Sequence, residues 1–446
     1  MRRSHVVLAG AAMIAGAAAL LGNRGVPPAE VQGAPLLAPP GAPLAVAPDA
    51  KPTPAHTDPS ALLDLDHLVL SAAGDHYEAT LKDGRHAVLT LDPGLQAYAE
   101  KLLTEARAPR GAIVAMSPDG RILALAGRRA EPSPPHRTEP EPDRAGKPPR
   151  RPRTDDSPPP TFDWRLATEA WAPAASVFKL VTASALVAAG VGPNDKVCFH
   201  GGIRSVVESN LRDDKHDSRC ESLTYGVAHS NNAILGKLAF QKLEPAALTR
   251  CAHDLGVGDP LPGVELSGAA GAVDIPSTRD LSFAQTAAGF AGSQLSAVGG
   301  ALLAATFADD GEQPVPRIFT SIEGVAQEAP APRRAVSAEI AKAVGQMMVA
   351  TCEIGSAAKS FGRHQQLRVA GKTGTLTRSE PFYMEHSWFV GYAPADNPQI
   401  IVSVVLGNPE NWHLRGHEAA RRLIDRAIGR EKDRAAKITS SRRVGW

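Results

Sequence analysis

Residues 173–180 read Pro173-Ala174-Ala175-Ser176-Val177-Phe178-Lys179-Leu180, and their interpretation decides how the rest of the chain is understood. A short run of small residues delivers a serine to the first turn of a helix. A lysine follows one turn later, and residues three apart on a helix are neighbours. The Lys179 amine can therefore reach the Ser176 hydroxyl. Serine is a weak nucleophile until an adjacent base takes its proton. Lysine can act as that base only if burial or nearby positive charge lowers its pKa. The helix start also presents unpaired N–H groups, which favour a developing negative charge. Alone, Ser-x-x-Lys occurs often by chance, and a helix start with an exposed lysine explains it equally well.

Two downstream peptides change that balance. Ser230-Asn231-Asn232 lies between helical runs at Leu223 to Ala228 and Ala233 to Leu243, where a helix cap would account for it. Lys372-Thr373-Gly374-Thr375 closes a strand, with Gly371 before it. Glycines there let another backbone or a ligand approach closely. S-x-x-K, then S-x-N, then K-T-G in this order is the motif set of serine enzymes that open amides and β-lactams through an acyl-enzyme.

Composition narrows the field further. Lys+Arg is 48 against Asp+Glu 47, which gives no reason to expect a nucleic-acid partner. Aromatic residues are 5% of the 446, too few for a base-stacking surface. The four cysteines, Cys198, Cys220, Cys251 and Cys352, form no C-x-x-C pair, and no H-E-x-x-H occurs. No metal and no cofactor is expected.

At the N-terminus, Arg2 and Arg3 precede an apolar run from Val6 to Gly22. Residues 1–24 read as a membrane anchor or signal segment. The anchor is favoured because no clean small-x-small cleavage site stands out. Either way the remainder is exported, and export permits disulfides. Cys198 and Cys220 bracket a charged loop and are the expected pair, with four unpaired thiols as the alternative. Residues 25–60 form a Pro/Ala-rich linker. Residues 61–91 form a small strand-containing segment, too short for a domain of its own. The main domain spans 92–430, and a basic, frayed tail covers 431–446. Within the domain, 128–161 holds eleven prolines and no Val, Ile or Leu, the composition of a disordered insertion.

The elements of the main domain follow from periodicity. A helix opens at Pro93 and runs to about Arg107. Gly111 to Ser117 and Arg121 to Ala126 form a hairpin around Pro118-Asp119-Gly120. The Ser176 helix runs to about Ala189, with burial on several sides. A largely helical region extends to about Gln346, interrupted by a loop from Gly192 to Cys220. The small-residue stretch Phe283 to Phe307 suits close helix packing. Three strands follow, at Leu367 to Thr375, His386 to Tyr392 and Gln399 to Leu406, and a helix from about His413 to Ile428 closes the fold. The expected class is α+β. About five strands from both ends of the chain form one antiparallel sheet, covered by helices, with a mostly helical subdomain inserted.

With these motifs in place, the chain resembles the transpeptidase domain of penicillin-binding proteins, in a monofunctional, class B-like form. LTLDPGLQ (89–96), GAIVAMSPDGRILALA (111–126), MVATCEIGSA (348–357) and SWFVGYAP (387–394) carry the resemblance beyond the triplet, roughly from Val88 to Arg430. It implies a β-lactamase/transpeptidase-like fold and a peptidoglycan D,D-transpeptidase. Ser176 would attack the penultimate D-alanine of a stem peptide, and Lys179 would take its proton. Ser230, held by Lys179 and Lys372, would relay a proton to the leaving D-alanine. Asn232 would bind the substrate backbone. Thr373, Gly374 and Thr375 would bind the terminal carboxylate and frame the oxyanion hole, with the N–H groups of Ser176 and Thr375 as donors.

The implied partners are stem peptides, β-lactams as covalent inhibitors, the inner membrane and wall-synthesis proteins. The implied location is the inner membrane, single-pass, with the catalytic domain in the periplasm or extracytoplasmic space. The family usually has glycine before the nucleophile. Here it is Ala175, a mild change if the position does not need positive φ. No room is expected for a glycosyltransferase domain or a large dimerisation module. Three other readings stand beside this one: a D,D-carboxypeptidase, a serine β-lactamase, and a non-catalytic β-lactam sensor or scaffold. Against the β-lactamase, no E-x-x-L-N loop occurs, and Tyr225-Gly226 precedes Ser230 without the asparagine of Y-G-N.

Overall fold

The computed structural model describes residues 67–130, 161–202, 205–263, 265–362, 367–380 and 382–443, with only the backbone course for 430–443. The expected N-terminal segment 1–24, the linker 25–60 and the interior of the 128–161 insertion lie outside the described residues.

Six strands make the central sheet: β1 (Arg110–Met116), β2 (Ile122–Arg129), β3 (Thr161–Phe162), β4 (Ala370–Arg378), β5 (Met384–Ala393) and β6 (Ile400–Asn408). Their spatial order is β4-β5-β6-β1-β2-β3, antiparallel throughout. The late strands thus pair onto the early hairpin through β6 and β1. All nine residues of β6 are buried, as its near-continuous apolar run requires of an interior strand. Side chains alternate between faces along each strand. Ile113, Ala115, Phe389, Val402 and Leu406 face one apolar layer; Val114, Met116, Trp388, Val390 and Val405 face the other.

Nine helices of six or more residues surround the sheet among the described residues: α1 (Pro93–Ala106), α2 (Lys179–Ala188), α3 (Leu223–Ala228), α4 (Asn232–Lys242), α5 (Pro245–Asp254), α6 (Leu281–Ala287), α7 (Ala297–Ala308), α8 (Ala338–Glu353) and α9 (Gly416–Arg443). Asp92 caps α1 by accepting from the N–H groups of Gly94 and Leu95, with Pro93 at the first helical position. Helices α1 and α9 cover one face of the sheet, and α7 lies against the other. The small residues of 283–307 serve that packing. A Cβ on Gly299 would sit 1.9 Å from the Ala270 carbonyl oxygen, and one on Gly300 would sit 2.6 Å from Ser403 Oγ.

The structure differs from the sequence reading in five places. The sheet has six strands because Thr161–Phe162 pairs with Arg128–Arg129, so both ends of the 128–161 segment are strand. The segment before residue 92 belongs to a second, five-stranded sheet. Its strands Val69–Leu70, Tyr77–Thr80 and His86–Leu89 pair in that order, and His86–Leu89 then pairs with Phe319–Ile322, itself paired with Val325–Ala326, from a region expected to be largely helical. The Gly192 to Cys220 loop contains a short hairpin, Lys196–Phe199 with Arg219–Ser222, crossed by the Cys198–Cys220 disulfide that the sequence reading expected. The helix α9 continues to Arg443 rather than ending near Ile428; Glu431, Lys432, Arg434, Ala435, Ala436 and Lys437 are strong helix formers. The strand expected at Leu367 to Thr375 runs instead from Ala370 to Arg378, so Lys372 to Thr375 lie within it rather than at its end.

The Gly299 contact predicts that Gly299→Ala destabilises the domain by about 1–3 kcal/mol, because backbone must shift to admit the methyl group. Urea unfolding midpoints of the two proteins measure it.

Candidate active site

Ser176 sits in a 3₁₀ turn, Ala175–Phe178, that runs directly into α2. The turn is braced from three sides. Trp388 Nε1 of β5 donates to the Pro173 carbonyl at 2.9 Å, and the Ala174 N–H donates to the Ser293 carbonyl at 3.1 Å. Gly374 of β4 closes the third side. A Cβ there would lie 3.2 Å from Val177 Cγ2 and 3.3 Å from the Ala174 carbonyl. The glycine of K-T-G therefore lets the strand lie flush against the nucleophile turn.

Ala175 has φ +50°, so the position does require a left-handed backbone, and the alanine is not a neutral replacement. That conformation costs an L-residue with a Cβ about 1–2 kcal/mol. Gly289, at φ +86°, presses on the same residue: a Cβ there would be 2.1 Å from the Ala175 carbonyl oxygen.

Every side chain of α2 from Lys179 to Leu186 is buried. Lys179 Nζ lies 2.7 Å from Ser176 Oγ, 2.7 Å from Asn232 Oδ1 and 2.6 Å from the Ala288 carbonyl oxygen. The Ala287 and Ala288 carbonyls stand at the end of α6, where helix carbonyls lack internal partners. Thr182 Oγ1 donates to the first at 2.7 Å, and Lys179 to the second. The two carbonyl oxygens around Lys179 can only accept. Two N–H bonds are thereby committed, and the third direction points at Ser176. An ammonium donates along that line; a neutral amine accepts the serine proton along it. Proton transfer needs no rearrangement of the lysine.

Burial pushes the Lys179 pKa well below the ordinary lysine range, and the charge of Lys372 pushes it the same way. Lys372 is also fully buried, and burial lowers its pKa to about 7. Its Nζ donates to Ser230 Oγ at 3.0 Å and to the Thr373 carbonyl at 2.9 Å.

Ser230-Asn231-Asn232 divides its work among three side chains. Asn231 caps α4, accepting from the Ile234 N–H at 3.1 Å. That frees Asn232, at the first helical position, to reach Lys179. Ser230, at φ +55°, turns toward Lys372. One end of the motif touches each lysine.

A cleft of about 630 Å³ opens over these groups, lined by Ser176, Ser230, Asn232, Thr373 and Thr375. Gly374 lies between the two threonines on β4. All the expected site residues are thus gathered at one cleft. Several lining residues escaped the sequence reading, among them His229, Phe290, Ser356, Thr377 and Glu385. Ser356 Oγ lies 2.6 Å from Thr373 Oγ1; its only signal was its place in the 348–357 stretch. Glu385 also lines the cleft, and nothing in its local sequence marks it.

Comparison with known proteins fits this geometry. The model of the penicillin-binding protein transpeptidase domain matches residues 111–427. The chain belongs to that family. Among its relatives, peptidoglycan D,D-transpeptidase PbpA of Mycobacterium tuberculosis is 26% identical over 322 residues, covering 67% of this chain and 62% of PbpA. Penicillin-binding protein PbpB of the same species is 27% identical over 267 residues, covering 55% of this chain and 39% of PbpB. The chain thus spans less than two thirds of the length of these relatives. The crystal structure of PBPA from M. tuberculosis superposes with a TM-score of 0.59 at 22% identity, over 77% of this chain and 81% of that one. The imipenem acyl-enzyme complex of the same protein gives 0.60 at 22%, over 77% and 80%. These superpositions establish the β-lactamase/transpeptidase-like fold.

The positive φ at position 175 predicts that Ala175→Gly stabilises the protein by about 0.5–1 kcal/mol. Strain of about 1–2 kcal/mol is relieved, partly offset by glycine's greater unfolded-state entropy. Chemical denaturation of both proteins reads the difference.

Proposed function

We propose that the protein is a peptidoglycan D,D-transpeptidase working through an acyl-enzyme on Ser176. The observation that carries this reading is the buried Lys179 amine, with two directions fixed by carbonyl acceptors and the third aimed at Ser176 Oγ.

In the first half-reaction Ser176 Oγ attacks the carbonyl carbon of the penultimate D-alanine. Its proton passes to Lys179 Nζ, and the carbonyl electrons move onto the oxygen. The Ser176 and Thr375 N–H groups receive that oxyanion; one such donor typically contributes about 3–4 kcal/mol. Collapse of the intermediate breaks the C–N bond. Ser230, hydrogen-bonded to Lys372, passes a proton to the departing amine of D-alanine and is reprotonated by the one Lys179 took from Ser176, which leaves Lys179 neutral in the acyl-enzyme. Thr373, Thr375 and the Lys372 charge hold the carboxylate of that residue. In the second half-reaction an amine from a neighbouring strand attacks the ester carbonyl, gives up a proton to Lys179, and displaces Ser176 Oγ, which takes that proton back from Lys179. The products are a cross-linked peptide and free enzyme.

β-Lactams enter the same first step and stay as the acyl-enzyme. The name of one structural relative, an imipenem acyl-enzyme complex, supports that expectation. The protein works outside the cytoplasm, held by a single pass in the inner membrane, in contact with wall-synthesis proteins. Support for this placement is the basic-then-apolar N-terminal run and the Cys198–Cys220 bond, which belongs to an oxidising compartment. Among the described residues no helix is long and apolar enough to cross a membrane.

A labelled penicillin tests the reading. Wild-type protein takes one label per chain and keeps it for many minutes. Ser176→Ala takes none, and Lys179→Ala acylates about 10²–10⁴-fold more slowly. Labelling of the Ser176→Ala protein would refute the assignment. Rapid multiple turnover of penicillin would point to a β-lactamase instead.

A further inference from the structure

His229 lines the catalytic cleft and is exposed to solvent. It directly precedes Ser230 in the chain, so their Cα atoms are about 3.8 Å apart. One face of its ring stacks on Tyr225, with centroids 4.1 Å apart and planes inclined by 29°. Tyr225 is itself held: Arg219 Nη2 donates to its hydroxyl at 2.5 Å, and the guanidinium lies over its ring at 4.9 Å. Arg219 pairs with Glu221 at 3.0 Å and stands beside Cys220, which the disulfide ties to Cys198. The imidazole is thus fixed by its face, at the end of a ladder of planar groups. Neither of its ring nitrogens has a hydrogen-bond partner among the described residues.

An accessible ring held this way, with both polar atoms free, suits a ligand that brings the hydrogen bond. Desolvation and then the Arg219 charge hold its pKa below the ordinary histidine value, against an opposing pull from Glu221. A neutral imidazole keeps one nitrogen as an acceptor. The second half-reaction supplies a donor for it. The acceptor amine forms the bond to carbon that the departing D-alanine amine broke. By microscopic reversibility it approaches the ester along the path of that departure, past the Ser230 hydroxyl. His229 is the neighbour of Ser230 on the cleft wall.

We propose that His229 is an acceptor-binding residue: its ring nitrogen accepts a hydrogen bond from the primary amine of the acceptor peptide and holds that amine beside Ser230. This rests on the transpeptidase reading of the cleft and adds to it a site for the second substrate. Ser176 and β4 hold the acyl donor, and His229 gives the amine an advantage over water in releasing the ester.

The test uses the full chain, a synthetic donor peptide ending in D-Ala-D-Ala, and an acceptor peptide with a free side-chain amine. Mass spectrometry reads the ratio of cross-linked to hydrolysed product as acceptor concentration rises. Both products come from one acyl-enzyme, so the ratio is independent of how fast that ester forms. In His229→Phe, which keeps a ring against Tyr225 and loses the nitrogens, the half-saturating acceptor concentration rises roughly 3–10-fold, the range for one hydrogen bond. In His229→Gln, whose side-chain oxygen accepts, part of the loss returns. A ring needed only for stacking predicts no change in the phenylalanine variant. An unchanged half-saturation point in His229→Phe, or an equal loss in both variants, overturns the proposal. If the phenylalanine variant unfolds early in a thermal scan, wild type decides: the acceptor amine shifts the His229 ring ¹⁵N resonance of the acyl-enzyme, and an unmoved resonance overturns the proposal. A wild type that forms no Ser176 ester, or releases it only to water at every acceptor concentration, refutes the transpeptidase reading and the proposal together. A wild type that cross-links with no dependence on His229 refutes the proposal alone.

Discussion

The structure depends on keeping a lysine amine dry. Lys179 is wholly buried, and an ammonium without water around it is expensive. Two things follow from that cost. The amine is pushed toward neutrality, the form in which it can take a proton. Its hydrogen-bonding directions must also be met by protein, which locks it in place. Asn232 from α4 and the Ala288 carbonyl after α6 meet two of them. The third is left to the nucleophile.

The rest of the domain can be understood as what holds those partners together. Helix α2 is buried along most of its length, so its position is set by packing rather than by the loop that precedes it. The sheet brings β4 against the nucleophile turn, with Gly374 at the point of contact and Trp388 tying Pro173 to β5. Lys372 arrives on the same strand. It orients Ser230 and adds a second positive charge that further disfavours protonation of Lys179. Strain is tolerated where this arrangement demands it, at Ala175 and Ser230, both left-handed without being glycine. Such strain persists only where surrounding structure over-determines the backbone.

Much of this was legible in the sequence because short motifs carry their own chemistry. The serine–lysine spacing, the asparagine pair and the K-T-G strand pointed to the residues now found around one cleft. The apolar run at 400–406 marked an interior strand, and the small residues at 283–307 marked close helix packing. What escaped depends on partners far away in the chain. Strands of two to four residues, such as Phe319–Ile322 and Thr161–Phe162, have too little period to read; they exist because another strand waits for them. The left-handed turn at Ala175 is imposed by Gly289 and β4, not by the local peptide. Ser356 and Glu385 are ordinary surface residue types until folding turns them into the cleft.

The most direct measurement of the central claim is the titration of Lys179 itself, followed by ¹⁵Nζ chemical shift in lysine-labelled protein and assigned by comparison with Lys179→Ala. The account predicts a midpoint well below the ordinary lysine value of about 10.4. A midpoint near 10 would mean the amine stays charged at working pH and cannot take the serine proton, and the mechanism built on it would be wrong.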